Sequence, residues 1–162
     1  MKRIMSILSI YLLVLVTTPS FAQTNGAHFF SASSSVNSAG ALVVNFDEAG
    51  LGKISGQVAY NLHVENATAV YACINGGGNH PKAANKVAVN GPLDANGSFT
   101  PTKNGRVIAS LTAGPVPNTT LSCPSGQTFV LASVSYGGIT LTDLTNGVSI
   151  NVADVSRTFF NI

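Results

Sequence analysis

The sequence predicts an all-β protein: a two-sheet antiparallel sandwich, immunoglobulin-like or Greek-key, that follows a cleaved N-terminal signal helix. Three observations predict it. Apolar and polar residues alternate through most segments, no window shows the 3.6-residue period of a helix, and Asn-Gly dipeptides recur along the chain. Alternation is typical of strands with one buried face, and Asn-Gly suits the positive φ angles of tight hairpin turns. A closed barrel is the alternative architecture.

The first element is a secretory signal peptide over residues 1–22. Two basic residues precede an apolar run over 4–16, and the segment closes on a small-x-small sequence that ends at Ala22. We therefore expect one mature domain over 23–162, either secreted from the cell or held in the periplasm. The apolar run is shorter than the roughly 20 residues that a membrane-spanning helix needs, so we expect no membrane span.

The remaining elements are strands, and the clearest alternation lies at 54–65. The segment 128–136 is apolar on both sides, which indicates a central strand. The pair Gly137-Gly138 fits either a tight hairpin or a bulge within a longer strand. The expected strands are 28–33, 41–46, 54–65, 68–74, 86–89, 106–112, 128–136, 139–144, 148–152 and 155–160.

Turn residues set the expected connections between these strands. A two-residue turn at Asn146-Gly147 would place Asp143 opposite Ile150, and the apolar residues of both strands would then share one face. Asp143 is the polar exception on that face, so we expect it near an edge. Asp47-Glu48 beside two glycines indicates a turn, and residues 94–97 indicate a hairpin turn rather than a calcium loop.

Charge excludes two classes of partner. The chain has eight Lys and Arg residues and six Asp and Glu residues, and cleavage would remove Lys2 and Arg3. The mature domain would therefore be neutral and poor in charge. Such a domain has no basic surface for nucleic acid or for an anionic membrane.

Two cysteines remain in the mature chain, Cys73 and Cys123. An isolated pair in an oxidising compartment predicts a disulfide bond, and two buried free thiols are the alternative. Cys73 and His80 lie near one another in sequence, but no second pair of ligands has the spacing of a zinc site. We expect no metal and no other cofactor.

The longest irregular segment, 75–85, is the candidate binding loop. It contains three consecutive glycines, and irregular loops at the end of a sandwich are where binding sites usually lie. Its candidate binding residues are Asn79, His80, Lys82 and Lys86. The chain has neither a phosphate-binding glycine motif nor a nucleophile elbow, and its few histidines and carboxylates are scattered, so we expect no catalytic residues and no enzyme activity.

Two phenylalanine doublets are candidates for contact with a partner. Adjacent residues of a strand point to opposite faces, so Phe29-Phe30 and Phe159-Phe160 each present one ring to each side of their sheet. The outer rings are either partly covered or available for self-association or strand exchange. Tyr60, Tyr71 and Tyr136 lie in expected strands beside apolar residues and are expected in the core.

Three stretches resemble a group of small, uncharacterised secreted bacterial proteins of the type found in actinomycetes. They are residues 71–86 (YACINGGGNHPKAANK), 123–127 (CPSGQ), and 133–136 with 141–148 (SVSY, LTDLTNGV). The resemblance implies secretion, a cysteine pair and an all-β fold, and it assigns no functional residue.

These observations lead to three hypotheses for the function. The first is an exported, non-enzymatic binding or envelope-associated module with an unknown protein or envelope partner. The second is a self-assembling, pilin-like surface subunit that associates through its terminal segments. The third is a secreted enzyme inhibitor that presents the proline-rich loop at 113–127.

Overall fold

A computed structural model describes residues 26–53, 55–75 and 85–162, and these residues form eight strands without a helix. The expected signal peptide at 1–22 lies outside the described residues. The all-β prediction is confirmed. The strands are β1 His28–Val36, β2 Leu42–Ala49, β3 Val58–Asn75, β4 Lys86–Phe99, β5 Val107–Ala113, β6 Gln127–Asp143, β7 Val148–Val152 and β8 Val155–Thr158.

Two antiparallel sheets make up the sandwich. The small sheet has the strand order β1-β2-β5, and the large sheet has the order β4-β3-β6-β7, with β8 also paired to β6. Residues that face the interior alternate with residues that face outward along β2 and β3, as expected of strands with one buried face. The core lies between the two sheets, and all three tyrosines of the described chain are buried there as predicted.

The long strands β3 and β6 correct the expected strand boundaries. β3 joins the segments 54–65 and 68–74, and β6 joins 128–136 and 139–144. β6 runs through Gly137-Gly138 without a hairpin, because both halves of the strand pair with β3. Gly138 has a φ angle of +64°, so the strand is locally irregular at this point.

Two expected turns lie inside strands. Residues 94–97 belong to β4, where Asp94 pairs with His63, and Asp47-Glu48 belongs to β2. Asn, Asp, Gly and Pro are depleted in strands, which is why the sequence of β4 beyond residue 89 indicates turns. The ladder to β3 overrides this propensity, because it aligns every second residue of β4 with the interior face.

The hairpin between β6 and β7 differs from its expected register by two residues. Asp143 pairs with Val148 and Leu141 pairs with Ile150, so four residues rather than two make the turn. A shift of two residues preserves the faces, and the apolar side chains still point inward. The physical cause is Asp143, whose Oδ1 accepts hydrogen bonds from the backbone amides of Thr145 and Asn146. Asp143 is fully buried, and its expected position near an edge is wrong.

Candidate functional site

The predicted binding loop can be placed only by its ends. Asn79, His80 and Lys82 lie outside the described residues, and Lys86 is the exposed first residue of β4. The amide of Cys73 donates to the carbonyl of Asn85 at 2.9 Å, so the two ends of the loop meet beside the cysteine pair.

The predicted disulfide between Cys73 and Cys123 is confirmed, with a Cα–Cα distance of 5.5 Å. The disulfide connects the loop at 114–126 to the C-terminal end of β3. The hydroxyl of Tyr71 donates to the carbonyl of Val116 at 2.7 Å, and the Tyr71 ring stacks on Phe129 with centroids 5.3 Å apart. The 114–126 loop is therefore anchored at two points, and the disulfide lies beside the described ends of the candidate binding loop.

The phenylalanine doublets divide between core and surface. Phe29 packs edge-on against Phe46 and Tyr60, whereas Phe30 is 72% exposed. In the second doublet the Arg157 guanidinium lies 4.7 Å from the centroid of the Phe159 ring, and Phe160 is partly exposed. Phe30 is thus the most exposed of the four rings.

Phe30 belongs to a patch of apolar and charged side chains on the outer face of the small sheet. Ile108, 71% exposed, pairs with Asp47, and Asp47 forms a two-pronged ion pair with Arg106. The Arg106 guanidinium lies 5.7 Å from the centroid of the Phe30 ring. The hydrogen bond and charge of Arg106 hold the pKa of Asp47 below its ordinary value, so this ion pair persists at neutral pH. We call Phe30, Ile108, Asp47 and Arg106 the small-sheet patch.

A carboxyl cluster lies between the two sheets. Glu48 comes from β2 of the small sheet, and Tyr60 and Asp143 come from paired positions on β3 and β6 of the large sheet. Glu48 and Asp143 are both 0% exposed, and the Tyr60 hydroxyl donates to Glu48 Oε2 at 2.5 Å. No sequence pattern predicts this cluster, because it depends on how the two sheets pack.

Burial dominates the electrostatics of the carboxyl cluster. It raises the pKa of Glu48 to about 7; the Tyr60 hydrogen bond opposes this shift, and the charge and hydrogen bond of Asp143 add to it. Burial and the neighbouring Glu48 carboxyl raise the pKa of Tyr60 as well, so its hydroxyl stays protonated and acts as the donor.

The outer face of the large sheet is polar. His63 Nδ1 lies 2.9 Å from Asp94 Oδ1, and Thr140 pairs with His63 from the other side. The hydrogen bond from His63 lowers the pKa of Asp94. Asp94, His63 and Thr140 form a row in the order of a catalytic triad, but this row lies outside every pocket described in the structure.

A pocket of about 340 Å³ lies elsewhere on this face, where β6 meets β8. The polar side chains that line it are Asn66, Thr68, Ser135, Asp154 and Ser156. Asp154 Oδ1 accepts a hydrogen bond from the amide of Gly138 at 3.1 Å, which fixes the carboxylate at the rim. Gly137 leaves room for it, because a Cβ at that residue would lie 3.2 Å from Asp154 Oδ2. We call this the outer pocket.

Sequence reasoning missed the outer pocket. The alternation in β3 identifies Thr68 as an outward-facing residue, but Asp154 and Ser156 reach the pocket only through the change of strand from β7 to β8 beside β6. The glycine pair at 137–138 was the available signal, since glycine within a strand often marks a close approach by another group.

No three His, Cys, Asp or Glu side chains among the described residues are placed to hold a metal ion. In the same part of the chain, no helix is long and apolar enough to span a bilayer. Comparison with protein-family models and with curated proteins finds no match to this chain. The resemblance to secreted bacterial proteins therefore stays a prediction.

Proposed function

We propose that this chain is an exported, non-enzymatic binding module, of immunoglobulin-like topology, that binds a carbohydrate residue in the outer pocket. One observation carries the proposal. Within the described residues, the side chains of Asn66, Thr68, Ser135 and Ser156 form no hydrogen bonds with the protein, yet all four line one pocket. Hydroxyl and amide groups that converge without internal partners are available to a ligand.

The lining favours a hydroxyl-rich ligand that carries an amine. Among the described residues, its polar groups are uncharged except for Asp154, and no Lys or Arg lines the pocket. A carboxylate without a nearby cation favours a ligand with a positive charge, through a charge-assisted hydrogen bond. The volume of about 340 Å³ lies at the small end of ligand pockets, which suits one sugar residue of a chain. We therefore assign an amino-sugar glycan as the ligand class.

Binding fits this protein better than catalysis does. The carboxyl cluster is fully buried and out of reach of a substrate, and Asp154 is the only carboxylate of the described chain that lines the outer pocket. General acid–base chemistry needs its acid and base within hydrogen-bond reach of the reacting group.

The test is a titration with the glucosamine hexamer, followed by NMR at the amides of Gly138, Ser135 and Ser156. We expect shift changes confined to the outer pocket, and we expect Asp154→Asn to weaken binding by roughly tenfold, since it removes one charge-assisted hydrogen bond. The Asn side-chain oxygen can still accept the Gly138 amide, so the pocket should keep its shape.

Asp94→Asn is the matched control, because it removes the same charge from the same sheet face outside the pocket. It should leave affinity within twofold of the wild type. Absence of binding, or equal weakening by both variants, would contradict the assignment, since equal weakening indicates diffuse attraction to an acidic face.

Self-association is the second candidate function, and the exposure of Phe30 and Ile108 in the small-sheet patch favours it. We expect sedimentation to detect oligomers that dissociate in Phe30→Ser. Leu144→Ser, at an exposed leucine of the β6–β7 turn, should leave them intact. Deleting residues 23–35 is not a clean test, because it would remove most of β1 and the Phe29 ring. A wild-type protein that stays monomeric at high concentration would exclude this function.

A further inference from the structure

The carboxyl cluster contains a buried oxygen atom that lacks a hydrogen-bond donor among the described residues. Glu48 Oε2 accepts from Tyr60, but Glu48 Oε1 is buried and has no donor among the described residues. Glu48 and Asp143 are both fully buried, and Tyr60, whose hydroxyl donates to Glu48, is the strand-pairing partner of Asp143, so the two carboxyl groups belong to one enclosed cluster. Two ionised carboxylates could not hydrogen-bond to each other there, because each can only accept. A proton on one of the two groups would remove this conflict.

The partners of each group identify which one carries it. Asp143 accepts from three N–H donors: the backbone amides of Thr145 and Asn146, and the Asn146 side chain, whose Nδ2 lies 2.6 Å from Asp143 Oδ2. Such donors suit an ionised carboxylate. Glu48 has one donor, the Tyr60 hydroxyl, and is otherwise enclosed by the protein. The cost of burying a charge therefore falls on Glu48, and the proton belongs there.

We propose that Glu48 is a neutral carboxylic acid in the folded protein, that it donates its proton to Asp143, and that this bond between the sheets weakens as the pH rises. The sandwich therefore contains a pH-sensitive link between its two layers. On the β2 side the link is Glu48, and on the β3–β6 side it is Tyr60 and Asp143. If Glu48 and Asp143 were both ionised, two negative charges would repel each other in the core without a cation to compensate them.

No other charged group of the described chain faces this link. The register neighbours of Glu48 are Phe29 on β1 and Val107 on β5. Phe29, Phe46 and Phe99 pack around the Tyr60 ring. The Asp47–Arg106 ion pair belongs to the opposite, outer face of the small sheet. The charge that acts on Glu48 in this link is therefore that of Asp143, and Tyr60 is a fixed hydrogen-bond donor.

The direction of the pH dependence follows from the raised pKa of Glu48. The folded state holds a proton that the unfolded state releases at the ordinary carboxyl pKa of 4.5. The stabilisation that the Glu48 proton contributes is therefore fully present below pH 4.5 and is lost as the pH rises through about 7. The folding equilibrium constant should therefore fall by between about tenfold and about a hundredfold between about pH 5 and about pH 8.5.

Urea unfolding of the wild type and of Glu48→Gln across this range tests the proposal. The Gln carbonyl can accept from Tyr60 and its amide can donate to Asp143 without ionising. We expect the variant to lose most of the pH dependence and to exceed the wild type in stability at alkaline pH. Glu65→Gln, the same change at an exposed glutamate of β3, should keep the wild-type dependence. Other titrating groups are shared, so their contributions cancel in the comparison.

Infrared spectroscopy of the full chain keeps the test valid if Glu48→Gln does not fold. The wild type should show the carbonyl stretch of a buried carboxylic acid near neutral pH, and the band should disappear on alkalinisation. Asp143→Asn should move that disappearance to lower pH, because the charge of Asp143 and its hydrogen bond both raise the pKa of Glu48. No band near neutral pH, or equal pH dependence of the wild type and Glu48→Gln, would overturn the proposal.

Discussion

Replacing both Cys73 and Cys123 by serine should lower the free energy of unfolding by about 4 kcal/mol, because the bond closes a loop of 50 residues in the unfolded chain. That loss is a large part of the stability of an ordinary domain, which is about 5–15 kcal/mol. Urea unfolding curves, recorded with and without a reductant, provide the measurement.

The reductant supplies the control. It should destabilise the wild type to the level of the double serine variant and leave the variant unchanged. A loss below about 1 kcal/mol would contradict this account, because it would mean that the unfolded chain is already constrained. The variant should also loosen the 114–126 loop, which the Tyr71–Val116 hydrogen bond would still hold to β3.

The disulfide shows which features could be predicted from the sequence. An isolated cysteine pair in a chain expected to enter an oxidising compartment predicts a disulfide from chemistry alone, and the bond forms as expected. Alternation likewise placed the buried face of β3, where Tyr60, Leu62 and Val64 are all inaccessible to solvent. Such features depend on local residue order, which a sequence records directly.

Features that depend on packing between sheets could not be predicted in this way. Asp47-Glu48 has the composition of a turn, yet Glu48 crosses the core to Tyr60. Asp143 is polar on an apolar face, which indicates an edge unless a buried partner exists. The pairing of β4 with β3 and the position of the outer pocket could not be predicted for the same reason, since both depend on which strands pair. The candidate binding residues Asn79, His80 and Lys82 lie outside the described residues and stay a prediction.

Gly105→Ala should be far more destabilising than Gly147→Ala, although both glycines have nearly equal positive φ angles, +66° and +72°. An alanine at a positive φ costs roughly 1–2 kcal/mol at either site. At Gly147 nothing lies within 4 Å of the added Cβ. At Gly105 the Cβ would lie 2.6 Å from the backbone nitrogen of Gly52 and 2.7 Å from its oxygen, so backbone must move.

That contact closes one end of the sandwich. The carbonyl of Gly105 accepts from the amide of Leu51 at 3.0 Å, and Leu51 is fully buried. Moving the Gly105 backbone away from Gly52 therefore breaks the Leu51–Gly105 hydrogen bond and disturbs the Leu51 side chain. We expect Gly105→Ala to lower the free energy of unfolding by about 3 kcal/mol or more. Urea unfolding of both alanine variants measures the difference.

Asparagine variants separate the two causes, because Asn tolerates positive φ better than Ala does. Gly147→Asn should be close to neutral, since its cost is conformational alone. Gly105→Asn should remain strongly destabilised, since its Cβ meets the same backbone atoms of Gly52. Equal losses at the two sites would mean that the chain opens at Gly105 without cost, and the contact with Gly52 would then contribute nothing to the closure of the sandwich.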